Sequence, residues 1–172
     1  MKYTFTLFIA LVCTLLSFAQ SAPLSADAIM KEATTKAARE HKKVFVIFHA
    51  SWCGWCHRMD SIMNNAACKK LFDQYFVVRH LVVMEAKDKK QLENPGAQAM
   101  MERYRGKDQG IPYWLIFDDK GVLVEDCMDE KNENTGCPAT KEEVAYFVKV
   151  LKATTALNDD QLAVIETNFI KK

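Results

Sequence analysis

The sequence predicts an α/β fold, a mixed central sheet with helices on both faces and extra helices at its N- and C-terminal ends. Three observations predict it. Residues 44–48 (VFVIF) form an unbroken β-branched and aromatic run, too short for a helix and too apolar for a half-exposed strand. A helical stretch separates this run from a second apolar run over 77–84, the pattern of strand, crossover and parallel strand. Two further apolar runs, YWLIF and VLVEDCM, flank the turn Asp118-Asp119-Lys120-Gly121 and read as an antiparallel hairpin, which a helix then closes.

Each element has its own local cause. From 25 to 41 the apolar residues Ala26, Ile29, Met30, Ala33 and Ala37 recur at three and four residues, giving an amphipathic helix with Ser25 as its cap. The first strand follows, and directly behind it stands SWCGWCH, residues 51–57. The run RMDSIMNNAACKKLFDQYF reads as helix, bent near Asn64 and Asn65. After the second strand, residues 85–110 are charged, with a breaker at Asn94-Pro95-Gly96 and a helix over 97–104. Ile111-Pro112 opens the hairpin. Beyond the polar loop DEKNENTGCP, Thr140 and Glu143 have the spacing of a capping box, and Val144, Phe147, Val148 and Leu151 form the apolar stripe of the closing helix. A last helix over 159–170 starts from Asn158, with Gln161 in the matching position.

Residues 1–19 read as a secretory signal peptide: Lys2 supplies the positive charge, 5–18 is an uncharged and mostly apolar run, and Ser17 and Ala19 suit a cleavage site. The run is short of the ~20 apolar residues that span a bilayer. Residues 20–172 then form one domain, with no repeat or linker, destined for the periplasm or for secretion. Loss of Lys2 leaves 22 basic against 22 acidic residues, a balance that gives no reason to expect nucleic acid or an anionic membrane as partner. Cys13 leaves with the leader. Cys53, Cys56, Cys68, Cys127 and Cys137 remain, an odd number, so in an oxidising compartment one thiol at least stays free or pairs outside the chain.

Cys53-x-x-Cys56 is a dithiol spacing, and with His57 it is also the attachment signal for a c-type haem. A dithiol catalyst needs one thiolate as nucleophile and a second thiol near enough to resolve the mixed disulfide. At the first turn of a helix the two cysteines share a face, and Cys53 takes the end where unpaired N–H groups and the helix dipole favour negative charge. That lowers its pKa from about 8.5 toward neutrality. Cys53 is therefore the attacking residue and Cys56 the resolving one. His57 is a solvated histidine or a source of charge support when protonated.

The strand before the motif, the helix after it and the later Ile-Pro resemble the thioredoxin superfamily over roughly residues 40–155. SWCGWC is similar to the W-C-x-x-C active site of that family, and Ile111-Pro112 is similar to its cis-proline position. Read by itself, Pro112 is an ordinary trans proline at a strand start. The resemblance implies a thioredoxin fold and an exported thiol-disulfide oxidoreductase acting on protein disulfides, with reduction or isomerisation favoured. It also implies a cis Pro112 that sets the Ile111 backbone beside the sulfurs for an extended substrate, with Trp52 and Trp55 as an apolar collar. No organic cofactor or metal is implied. Electrons are exchanged with another dithiol protein, membrane-embedded or not. The sequence departs from the family in three places. Ile47 stands where many members bury an acid six residues before the first cysteine, Gly54-Trp55 replaces the usual Gly-Pro, and residues 85–110 exceed the minimal connection.

Cys127 and Cys137 are expected to pair in a structural disulfide, worth somewhat less than the ~3 kcal/mol estimated for a fifteen-residue loop. The alternatives are two buried thiols or a second redox pair. Cys68 is expected to be a small core residue. Three other functions compete with the oxidoreductase. A c-type haem protein would use Cys53, Cys56 and the ligand His57, with Met59 or Met128 opposite, yet the buried strands leave no cavity for haem there. A redox-inactive binding or chaperone module would not need the dithiol. Zinc at Cys53 and Cys56 lacks a second ligand pair at metal spacing.

Overall fold

A computed structural model describes residues 22–170, and the leader expected over 1–19 lies outside them. Helix α1 (Ala26–Glu40) starts at Ser25, whose side chain accepts from Ala28 N, and ends at His41 in the left-handed conformation. Strand β1 (Lys43–His49) follows, then α2 (Gly54–Met63), α3 (Lys69–Tyr75) and β2 (Phe76–Val82). A 3-10 turn (Lys87–Leu92), the short helix α4 (Ala97–Met101) and a wider turn (Glu102–Gly106) lead to β3 (Tyr113–Phe117) and β4 (Leu123–Asp126). Helices α5 (Lys141–Thr154) and α6 (Asp159–Phe169) complete the described chain.

The sheet order is β2-β1-β3-β4. β1 runs parallel to β2, with Phe45 opposite Val78, and antiparallel to β3, with Phe45 opposite Ile116. β4 pairs antiparallel with β3 and carries a register shift at Ile116 and Phe117. The mixed sheet follows from chain economy: a parallel neighbour needs a crossover, here α2 and α3, whereas an antiparallel one needs a turn. That turn is held by Asp118, whose Oδ1 accepts from Lys120 N and Val122 N.

Burial of 44–48 and of all five residues of β3 explains why both runs are apolar throughout rather than alternating. On one face Phe45 packs its ring against Phe72 of α3, Phe76, Trp114 and Phe147 of α5, and Phe169 of α6 lies 5.0 Å from Phe147. Each such buried ring contributes roughly 1.5–3 kcal/mol. On the other face, Tyr113 and Phe117 meet the connecting segment: Tyr113 Oη donates to Tyr104 O and Phe117 packs edge-on against the Tyr104 ring. α1 packs on β1 and β2 through its small residues Ala33 and Ala37.

The expected boundaries shift in three places. The single bent helix after the motif is two helices. α2 stops at Met63, and Asn65 Oδ1 then accepts from Ala67 N and Cys68 N, a side-chain turn that competes with helix continuation. The helix expected over 97–104 ends at Met101, because Tyr104 and Arg105 leave helical geometry and Gly106 closes against Met101, where a Cβ would sit 2.7 Å from the Met101 carbonyl oxygen. β2 ends at Val82 rather than 84, where Asn94 Oδ1 takes the Val82 N–H. Both helix starts expected from capping boxes are present, at Thr140 with Glu143 and at Asn158 with Gln161. Among the described residues, no helix is long and apolar enough to cross a membrane.

Candidate active site

β1 delivers the chain to Ala50, and a turn closed by Cys53 N donating to Ala50 O brings Cys53 to the N-terminus of α2. Cys53 caps that helix itself: its Sγ accepts from Cys56 N at 3.1 Å. A sulfur in this position meets an unpaired helix N–H and the positive end of the dipole, which favour a thiolate once the bond is reduced. Cys53 and Cys56 are bonded to each other, with Cα atoms 5.3 Å apart. Together with Ala50 and Ile111 they form a small apolar cluster separate from the main core.

The Ile111-Pro112 bond is cis. Ile111 O lies 3.6 Å from Cys53 Sγ, so the proline loop faces the disulfide across a van der Waals gap. Two residues that the sequence reading passed over brace this loop. Asn134 Nδ2 donates to Gly110 O and Pro112 O, and Gly136, at φ +50°, sits so close that a Cβ would lie 3.3 Å from Pro112 O. Trp52 and Trp55 stand outside the sulfurs at 59% and 47% exposure, while Cys53 is 3% and Cys56 1% exposed. In the disulfide state Cys53 is buried, with the Cys56 sulfur bonded to it and Ile111 O of the proline loop against it.

A further clasp holds the turn before the dithiol. Glu85, only 4% exposed, accepts from Ser51 N at 2.6 Å and from Ser51 Oγ at 2.8 Å, and the neighbouring Met84 O accepts from Trp52 Nε1. Burial pushes the Glu85 carboxyl up, but the two Ser51 hydrogen bonds, with Lys89 and His49 nearby, outweigh it and hold the group below the usual carboxylate range. Ile47, at the position of the family's buried acid, is 1% exposed, and Glu85 is committed to Ser51. His57 Nε2 lies 3.0 Å from Ser51 O while the residue stays exposed, so it is the solvated histidine the sequence suggests, resting against the turn before the dithiol. Behind the helix, His49 packs against the His80 ring and His80 meets Asp60 at 2.6 Å. Burial, then the neighbouring His80, push the His49 pKa down.

The disulfide expected between Cys127 and Cys137 is not formed; both thiols are free and buried, as is Cys68. Cys127 Sγ accepts from Trp114 N at 3.4 Å, and Cys137 Sγ accepts from Arg58 Nη1 at 3.0 Å. The two sulfurs thus have separate partners, and Thr135, which bonds Cys127 O through both its N and its Oγ1, fixes the loop between them. Burial raises the pKa of all three thiols, so none competes with the dithiol as a nucleophile. The haem arrangement does not fit this geometry. The two cysteines are joined to each other, His57 is folded onto Ser51, and Met59 is sealed in the core at 0% exposure. Among the described residues no group of three or more His, Cys, Asp or Glu side chains is placed to hold a metal ion.

A family model described as Thioredoxin-like matches residues 27–119. Among solved structures, the chain is similar to a disulphide isomerase from Xylella fastidiosa Temecula1, at 22% identity over 64% of this chain and 78% of that one, with a TM-score of 0.49. It is similar to a thioredoxin from Thermus thermophilus at 22% identity over 78% and 87%, TM-score 0.47. The C-terminal domain of DsbD from Neisseria meningitidis, in its oxidised form, matches at 22% identity over 61% and 84%, TM-score 0.40. A comparison with curated proteins found no match.

Proposed function

The chain belongs to the thioredoxin-like family, and from that premise we propose that it is a thiol-disulfide oxidoreductase for exported proteins. The observation that carries the reading is the Cys53–Cys56 disulfide at the N-terminus of α2, faced by the cis Ile111-Pro112 loop. In the reduced state the Cys53 thiolate attacks one sulfur of a substrate disulfide. A Cys53–substrate bond forms, the substrate bond breaks, and the departing substrate sulfur takes a proton. Cys56, as thiolate, then attacks Cys53 Sγ, which re-forms the internal disulfide and releases the second substrate thiol. Two electrons pass from the protein to the substrate, and a partner dithiol protein returns them; run in reverse, the same steps oxidise.

An extended substrate segment lies along the Ile111 backbone and against Trp52 and Trp55, the exposed aromatic residues next to Cys53 and Cys56 in the chain. Reduction or isomerisation is the favoured direction, and a membrane-embedded donor suits the periplasmic or secreted location that the leader at 1–19 implies. The test is covalent trapping. Cys56→Ala leaves Cys53 able to attack and unable to be resolved, so mixed disulfides with substrate proteins accumulate on non-reducing gels, whereas Cys53→Ala gives none. Equal trapping by both variants would contradict the assigned roles.

A further inference from the structure

We infer that Arg58 is a specificity-determining positioning residue, holding the Trp55 indole beside the dithiol as a fixed platform for polypeptide substrates. The inference rests on the oxidoreductase reading above. Trp55 and Arg58 stand three residues apart on α2, so their side chains share a helix face. The guanidinium carbon of Arg58 lies 5.6 Å from the centre of the Trp55 ring, inside the ~6 Å range of a cation–π contact.

What distinguishes this arginine is how its donors are used. Nη1 donates to Cys137 Sγ at 3.0 Å and to Pro138 O at 3.1 Å, and Nη2 donates to Phe169 O. These acceptors come from the loop before α5 and from the end of α6, 79 to 111 residues away in the chain. Among the described residues Arg58 forms no ion pair with a carboxylate; its edge donors go to neutral acceptors and its planar face meets the indole. Trp55, nearly half exposed, is thus stacked on a cation that the C-terminal helix keeps in place. An aromatic surface ordered before binding costs less to use than one that must be ordered by the substrate. A short disulfide that reaches only the sulfurs would gain nothing from it. The C-terminal helix, remote in sequence from the dithiol, in this way acts on substrate choice.

The test is a double-mutant cycle with Arg58→Lys and Trp55→Ala, read on insulin as the polypeptide disulfide and on glutathione disulfide as the small one. Arg58→Lys keeps the charge and loses the planar fork. It is expected to raise the KM for insulin roughly two- to fivefold, the worth of an exposed cation–π contact, with kcat for insulin and kcat/KM for glutathione disulfide unchanged. Trp55→Ala, which leaves the Arg58 hydrogen bonds in place, is expected to raise the KM for insulin at least as much, and serves only as the partner in the cycle because the residue lies between the two cysteines. Adding Arg58→Lys to it should change nothing more. Equal loss on both disulfides in Arg58→Lys, full additivity in the double variant, or an unchanged insulin KM in Trp55→Ala would each overturn the inference. A parent protein inactive on both disulfides would instead overturn the oxidoreductase reading, and this inference with it.

Discussion

Replacing Glu85 by alanine tests the clasp on the active-site turn. The substitution removes both acceptors that Ser51 uses, at 2.6 and 2.8 Å, from a side chain 4% exposed. A hydrogen bond to a charged group contributes about 1.5–3 kcal/mol, so two would give roughly 3–6. Ser51 is itself exposed, however, and water can reach its N–H and hydroxyl once the carboxylate is gone. The expected net loss is therefore nearer one such bond, about 2 kcal/mol, which for a chain of this length lowers Tm by about 4–8 °C. Glu85→Gln keeps the shape and an acceptor and should lose less. The pH dependence has a definite sign. Because the folded-state pKa of Glu85 is depressed, its stabilisation is complete above the ordinary carboxylate value near 4.5 and is lost as pH falls through the lower folded value. Thermal melts of the oxidised parent and both variants from pH 7 to pH 3 supply the measurement. A Glu85→Ala protein as stable as the parent at pH 7, or a gap that stays constant down to pH 3, would refute the reasoning.

Three further outcomes are expected. Protein lacking residues 1–19 should show no thiol reactive to a chromogenic disulfide in its native oxidised state and three after denaturation without reductant; one would mean that Cys127 and Cys137 are paired after all. Gly136→Ala places a Cβ 3.3 Å from Pro112 O at a φ of +50°, which should cost about 1–2 kcal/mol and weaken insulin reduction; an unperturbed melt and unperturbed activity would show that the loop needs no glycine. The depressed His49 pKa means that the unfolded chain takes up its proton first, so stability should fall with acidification from about pH 6.5 toward the lower folded value. His49→Asn should flatten that part of the curve, and an unchanged slope would place the proton uptake elsewhere.

Much of the site can be read along the chain because its parts are local. The dithiol follows a strand whose five central residues are all buried, and Cys53 reaches the helix N-terminus through spacing alone. The two capping boxes are four-residue patterns, and they appear where the pattern stands. The helix break at Asn65 was signalled by two adjacent asparagines, but not its form, because whether a side chain replaces the next helical hydrogen bond depends on the packing of Cys68 beneath it.

The sequence by itself determined the order of elements, the motif chemistry and the position of the proline, since hydrophobic period, caps and a three-residue cysteine spacing act within a few residues of one another. Only the tertiary structure decided that Glu85 holds Ser51 across 34 residues, that Arg58 joins Phe169 across 111, and that Cys127 and Cys137 turn to different partners. Such contacts have no periodic trace in the chain. They arise when the sheet and its helices close around one core, and that closure sets which distant side chains come within bonding distance.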